Sequence, residues 1–201
     1  MNLMSTNKIK YKLRKFKKTD ANTITKYANN KNIAKWLTKE FPHPYYKKDA
    51  ESFIDIVSKI DPNIVFTIEI NEEAAGSIAV TPQSKENIQK NDDNNINKEK
   101  INQNNQTQDT TINICNKQAE LGYWLAEKYW NKGIMTLVIK EMIEYGFKTF
   151  DIDCIFATPF VENLASQKVL KKVGFISDKK VRKIIKCNES YEVFVFSIKR
   201  S

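Results

Sequence analysis

The segment Trp130-Asn131-Lys132-Gly133-Ile134-Met135-Thr136 sets a glycine between a β-rich run, Glu120-Leu121-Gly122-Tyr123-Trp124-Leu125, and a long stretch of helical apolar periodicity. A glycine at a strand-to-helix turn lets the backbone approach a ligand closely. The unpaired N–H groups and dipole of the following helix start favour a bound phosphate. Lys132 to Thr136 meets that requirement, although a tight turn without any ligand would use the same glycine. GxxxxGK[ST] and GxGxxG are both absent, which removes the P-loop and Rossmann readings.

Other chemistry is sparse. His43 is the only histidine, so a histidine triad or a multi-histidine metal site is not expected. It lies in Phe41-Pro42-His43-Pro44-Tyr45, which reads as a loop. Cys115, Cys154 and Cys187 are odd in number, widely spaced and without a CxxC pair, so free thiols are expected and neither a disulfide framework nor a zinc site is. The net charge of +9 would attract nucleic acid, phosphorylated ligands or an anionic membrane surface. The charge gathers at Lys8, Lys10, Lys12, Arg14, Lys15, Lys17 and Lys18, and again at Lys179, Lys180, Arg182, Lys183 and Lys186. No nucleic-acid module accompanies it, and a solvated surface accounts for it. Lysines rather than an apolar stretch follow Met1-Asn2-Leu3-Met4-Ser5, and no run of about 18 apolar residues occurs. Neither signal peptide nor membrane span is expected, and a cytoplasmic location is.

At 201 residues, 41% of them hydrophobic, the chain can bury a core and is expected to form one domain. Ile9, Tyr11 and Leu13 alternate with basic residues as in a half-buried strand. Thr19-Asp20 can cap a helix whose Ala21, Ile24, Tyr27 and Ala28 share a face. A short segment near Ile33 to Leu37 precedes a second clear helix from Asp49, which ends at Asp61-Pro62-Asn63. Ile64–Ile70 and Ala75–Val80 predict an antiparallel hairpin. From about 82 to 114 the chain is mostly Asn, Gln, Lys, Asp and Glu, which predicts a flexible insertion inside the domain. Beyond Glu120–Leu125, the pattern predicts a helix opened by Gly133, a short strand from Cys154 to Thr158, a helix from Asn163 to Val173 capped by Gly174, and a closing strand from Tyr191 to Ile198. The sum is an α/β (α+β) fold, with about seven strands in a mixed, mostly antiparallel sheet flanked by about four helices.

Three motifs carry a resemblance: Glu120-Leu121-Gly122-Tyr123-Trp124-Leu125, Tyr129-Trp130-Asn131-Lys132-Gly133-Ile134-Met135-Thr136, and Asn163-x-x-Ser166-x-x-Val169-Leu170-x-Lys172-x-Gly174-Phe175. Together they resemble the GNAT superfamily of acyl-CoA N-acyltransferases, in particular its RimJ/RimL branch, which acetylates protein N-terminal amino groups and related amines. Leu13-Arg14-x-Phe16-x-x-x-Asp20-Ala21 and Phe41-Pro42-x-Pro44-Tyr45 resemble the same branch. The resemblance spans nearly all of the chain outside the Asn-rich insertion.

It implies a GNAT fold with acetyl-CoA as co-substrate and no metal. By the resemblance, Asn131, Lys132, Gly133, Ile134, Met135 and Thr136 hold the CoA pyrophosphate, chiefly through main-chain N–H groups. Trp130 and Met135 stand where the family more often has Gln or Arg and Gly or Ala. Tyr123, Trp124 and Leu125 would pair with pantetheine as a strand pairs. Asn163 resembles the asparagine that contacts the pantetheine arm, and is equally a plain helix cap. Ser166 sits where the branch has a serine near the CoA sulfur, and Leu170 where many relatives have a tyrosine. Amine acylation needs no covalent nucleophile, only a group to take the amine proton, and Glu120 is the candidate base. The expected partners are acetyl-CoA and a primary amine. That amine could be the N-terminus of a ribosomal or other protein, a polyamine or an aminoglycoside. A non-catalytic module binding acyl-CoA or RNA is the other reading, and monomer and homodimer both remain open.

Overall fold

The structure, a computed structural model, describes residues 9–83 and 112–200. Among them are seven strands: β1 (Lys12–Arg14), β2 (Val65–Ile70), β3 (Glu73–Gln83), β4 (Gln118–Leu125), β5 (Cys154–Ala157), β6 (Ile176–Lys186) and β7 (Glu189–Lys199). Five helices join them: α1 (Ala21–Ala28), α2 (Lys31–Ala34), α3 (Lys47–Val57), α4 (Ile134–Thr149) and α5 (Leu164–Val173). The sheet order is β1-β2-β3-β4-β5-β7-β6. Four neighbouring pairs are antiparallel, while β4 and β5 run parallel. The fifth helix is the four-residue α2, within the short segment that the sequence left undefined. Lys8 and most of the predicted insertion, residues 84–111, lie outside the described residues. Pro82 and Gln83, placed in the insertion by composition, are the last residues of β3.

The chain divides into two compact units. The first comprises the chain up to Ala79 together with Gly122–Met142. Its core gathers Phe16, Ala21, Ile24, Ala28, Tyr45, Ala50, Ile54, Val57, Val65 and Ala74. The buried face of α1 is the one its periodicity predicts: Ala21, Ile24, Tyr27 and Ala28. Asp20 stands at the N-terminus of α1 but does not cap it through its side chain. Its carboxylate accepts instead from both terminal nitrogens of Arg14, at 2.7 and 2.8 Å, and from the Lys17 N–H at 2.8 Å. A guanidinium fork offers a carboxylate two parallel charged hydrogen bonds, which outcompete a single helix N–H. Arg14 also bonds Glu69 of β2, so β1, β2 and the start of α1 share one ion-pair network. β2 and β3 are joined by Asn71 and Glu72, both at positive φ (52° and 64°), which gives the tight two-residue hairpin connection.

The second unit comprises Val80–Leu121 and Ile143–Ser201. All four residues of β5 are buried, as are Leu170, Val193 and Phe196. Gly174 closes α5 in the left-handed conformation, φ 106°. Gln118, 1% exposed, ties the stem where the chain re-enters the sheet. Its amide donates to the Ile112 carbonyl (2.6 Å) and the Gln83 side chain (2.9 Å), and its oxygen accepts from the Ile114 N–H (2.8 Å).

One sequence expectation is corrected here, and one strand is added. Cys115 and Cys154 are disulfide-bonded across a sequence separation of 39, and Cys187 is the free cysteine. Parallel pairing sets Cys154 opposite Gln118, three residues past Cys115, and that register rather than any spacing motif brings the sulfurs together. The second basic cluster is the solvated surface expected of it, with Lys179, Lys180, Arg182 and Lys183 exposed, but the strand that carries it was not foreseen. It lies on β6, an 11-residue outermost strand that pairs with β7.

Candidate functional site

In the first unit, β4 leads to the proposed phosphate turn through a braced connection. The Ala126 N–H donates to the Ala75 carbonyl at 2.7 Å, and a short 3-10 turn, Glu127–Tyr129, follows. Both charged residues of that turn are engaged. The Asn30 and Asn32 side chains donate to Glu127 at 2.7 and 2.9 Å and hold its carboxyl below the usual carboxylate range. Lys128 bonds the Tyr27 hydroxyl and pairs with Glu73 at 3.0 Å; those two bonds, against a smaller opposing burial effect, raise the ammonium above the ordinary lysine range. Trp130 then folds its indole back, so that Nε1 donates to the Leu125 carbonyl at 2.6 Å. That bond ties the last strand residue to the turn five positions later.

Past Trp130, Asn131 (φ 60°) and Gly133 (φ 76°) both adopt the left-handed conformation, and α4 begins at Ile134. A Cβ built on Gly133 would meet nothing within 4 Å. Packing therefore does not demand glycine there: the backbone conformation does, and the space before it is open. A turn that faces open space at a helix start fits the pyrophosphate of CoA, whose charge suits main-chain N–H donors. Asn131, Lys132 and Gly133 are exposed, Met135 and Thr136 are half-buried, and the Ile134 side chain is 3% exposed. Ile134 can thus offer a ligand only its backbone. Lys132 lies with its Nζ 5.7 Å from the Tyr129 ring centroid. Of the strand residues, Leu125 is buried, while Tyr123 and Trp124 are half-buried. Trp124 packs edge-on against Phe41, at 5.9 Å, and Phe41 stacks on Tyr45 at 4.9 Å.

Gly76 of β3 was not singled out from the sequence. A Cβ there would lie 2.5 Å from the Trp124 carbonyl oxygen and 3.1 Å from the Leu125 Cα. This glycine is what lets β3 approach the end of β4.

In the second unit, Glu120 is half-buried near the end of the β4–β5 ladder. That ladder runs from Gln118↔Cys154 to Glu120↔Phe156 and stops five residues before β4 does. The Thr158 hydroxyl donates to Glu120 Oε1 at 3.2 Å, and Lys186 Nζ lies 3.4 Å from the same oxygen. Neither partner was named from the sequence: Thr158 looked like the end of a buried strand, and Lys186 like one member of a basic cluster. Asn163 caps α5, its side-chain oxygen accepting from the Ser166 N–H at 3.1 Å, so these two candidate residues are joined directly. The simple capping reading of Asn163 is thereby established. Leu170 is fully buried, in keeping with an apolar residue at that position.

Among the described residues, no cluster of three or more His, Cys, Asp or Glu could hold a metal ion, and no helix is long and apolar enough to cross a membrane.

Comparison with known proteins gives this geometry a context. Residues 10–176 match the family model described as an acetyltransferase (GNAT) domain. A relative from Bacillus subtilis (strain 168), named "Putative ribosomal N-acetyltransferase YdaF", is 30% identical over 85 residues, which is 42% of this chain and 46% of the relative. The chain spans about half the length of the curated relatives it matches. Among solved structures, a GNAT-family acetyltransferase from Bacillus anthracis superposes with a TM-score of 0.67 at 21% identity, covering 95% of this chain and 97% of that one. RimL, described as the ribosomal L7/L12 alpha-N-protein acetyltransferase in complex with coenzyme A, superposes with a TM-score of 0.68 at 14% identity, covering 94% and 93%. The sheet of mixed direction, the left-handed glycine turn before α4 and a family match over most of the chain agree: this chain belongs to the GNAT acetyltransferase family.

Proposed function

We propose that the protein is an acetyl-CoA-dependent N-acetyltransferase, a single GNAT domain that moves the acetyl group directly to a primary amine within a ternary complex. The observation that carries this reading is the strand–turn–helix from Leu125 to Ile134, with left-handed Asn131 and Gly133 opening onto free space inside a GNAT domain. In this reading the N–H groups of Asn131 to Thr136 hold the cofactor's pyrophosphate, and Tyr123, Trp124 and Leu125 offer their backbone to its pantetheine arm. The cofactor supplies an activated acetyl thioester. Asn163 orients the arm, Glu120 takes the acceptor's proton, and Ser166 hydrogen-bonds or protonates the departing thiolate.

A protein N-terminal amino group is the acceptor we favour. Support comes from neighbours of the same fold described as ribosomal-protein acetyltransferases, including RimL and a ribosomal-protein-S5-alanine acetyltransferase from Vibrio fischeri. A small amine is the second reading. The neighbour described as the Microcin C7 self-immunity acetyltransferase MccE, in complex with acetyl-CoA and AMP, shows the fold in an enzyme with a different assignment.

Purified protein incubated with acetyl-CoA and a panel of N-terminal peptides, polyamines and aminoglycosides, with thiol release followed, tests the proposal. Release with peptides and not with small amines is expected, and Gly133→Glu should abolish it by filling the turn. CoA binding without thiol release from any acceptor would overturn the enzyme reading in favour of a binding module.

A further inference from the structure

The partner that the structure gives Glu120 is itself a primary amine. Lys186 ends β6, and the two residues after it, Cys187 and Asn188, both have positive φ (49° and 59°) and turn the chain into β7. Lys186 faces Glu189 across that tight hairpin, so its backbone position is fixed by a short, well-determined connection. From there its side chain reaches Glu120, 66 residues earlier, and sets Nζ 3.4 Å from Oε1. The side chains are 31% and 26% exposed, which leaves the amine within reach of an outside reagent. Thr158 donates to the same oxygen and holds the carboxylate toward the lysine. The other charged groups at this end of the hairpin are accounted for: the Tyr191 hydroxyl donates to Glu189, and Lys183 lies 4.0 Å from Glu192. Lys186 is the lysine paired with the candidate base.

A partly exposed ion pair of this kind contributes little to stability, so holding the hairpin in place is a poor reason for it. Chemically, the contact reproduces what an acceptor must do: a primary ammonium delivers its proton to a carboxylate and then acts as a nucleophile.

We propose that Lys186 is a self-acetylation site, an internal acceptor for the protein's own acetyl transfer. The inference rests on the reading of Glu120 as base. In the step, the Lys186 ammonium loses a proton to Glu120 and its nitrogen bonds to the thioester carbonyl carbon. The carbon–sulfur bond breaks, the nitrogen's second proton goes to the departing sulfur, and CoA leaves as the thiol. Acetyl-CoA and a lysine ammonium give an N-acetyl-lysine, free CoA and one proton, which Glu120 passes to solvent. The product has no charge to pair with Glu120, so the modification would release the carboxylate to an acceptor from outside.

The test uses the full chain with isotopically labelled acetyl-CoA and peptide mapping by mass spectrometry. One acetyl group is expected on Lys186, at a rate independent of protein dilution and faster than on exposed Lys183. Glu120→Gln should slow it on the order of a hundredfold, the scale of a lost general base. A second readout needs no acetyl-CoA. An N-hydroxysuccinimide acetate should modify Lys186 more slowly than Lys183, and Glu120→Gln should remove that protection. Labelling of Lys186 no faster than Lys183, or equal in the Glu120→Gln variant, overturns the proposal, as does absence of the protection. If Lys186 stays unlabelled while outside amines are acetylated, self-acetylation alone falls. If neither is acetylated, the assignment of Glu120 and of the activity falls with it.

Discussion

Arg14 grips both carboxylate oxygens of Asp20, at 2.7 and 2.8 Å, with the two side chains only 11% and 7% exposed. Burial alone would push the Asp20 carboxyl up, but the hydrogen bonds from Arg14 and from the Lys17 N–H outweigh it and hold the group below the usual range. A carboxyl whose folded value lies below its unfolded value of about 3.9 stabilises the fold above that pH. The contribution is lost as pH falls through the folded value. Asp20→Asn leaves the Arg14 charge without its main partner and should cost about 3 kcal/mol at neutral pH. The gap between wild type and variant should narrow below about pH 4. Urea melts of both proteins at neutral and acidic pH measure this, and a gap unchanged across that range would refute it.

Gly76 and Gly122 form a matched pair of tests. The Cβ that alanine would add at position 76 lies 2.5 Å from the Trp124 carbonyl oxygen, a backbone atom that cannot swing aside. At Gly122 the same atom meets nothing within 4 Å, and φ is not positive there. Gly76→Ala should therefore cost roughly 1–3 kcal/mol as β3 and β4 are forced apart. Gly122→Ala should leave the melting temperature nearly unchanged. Equal melting temperatures for the two variants would show that the approach at Gly76 is not tight.

The helices that frame the candidate site were legible because each buries one face. Ala21, Ile24, Tyr27 and Ala28 repeat at helical spacing, and the structure buries those four. The glycine turn was legible for a similar reason: a strand, a left-handed position and a helix start leave marks within one short stretch. β6 was not legible. As the outermost strand it keeps Ile176, Val181 and Ile185 exposed among lysines, so the alternation of a half-buried strand is missing. The contacts of Glu120 were hidden by distance, since Thr158 and Lys186 come from 38 and 66 residues away and only the sheet order brings them close.

The disulfide was hidden in the same way, and it bears on the stability of the region that holds the turn. Cys115 and Cys154 close a loop containing β4, the glycine turn and α4. In the chain-entropy account, a loop of this length lowers the freedom of the unfolded chain by about 4 kcal/mol. Cys115→Ser, or reduction by a dithiol, should lower the melting temperature markedly, whereas Cys187→Ser should not. Thiol titration of the untreated protein should find a single reactive group, Cys187. Three reactive thiols without reductant would show the bond to be absent.

Asn163 allows its two roles to be separated, because a cap and a cofactor ligand make different demands on one side chain. Capping needs only an oxygen that accepts from the Ser166 N–H, and aspartate provides that as well as asparagine. Donating a hydrogen bond to a pantetheine carbonyl needs the amide N–H₂, which aspartate lacks. Asn163→Asp should therefore keep the melting temperature within a few tenths of a kcal/mol equivalent while weakening CoA binding about tenfold. Asn163→Ala should lose about 1 kcal/mol of stability and weaken binding as well. Calorimetric titration with CoA alongside thermal melts distinguishes the cases. If Asn163→Asp binds CoA as tightly as the wild type, the residue is a helix cap and nothing more, and orientation of the arm must come from elsewhere in the site.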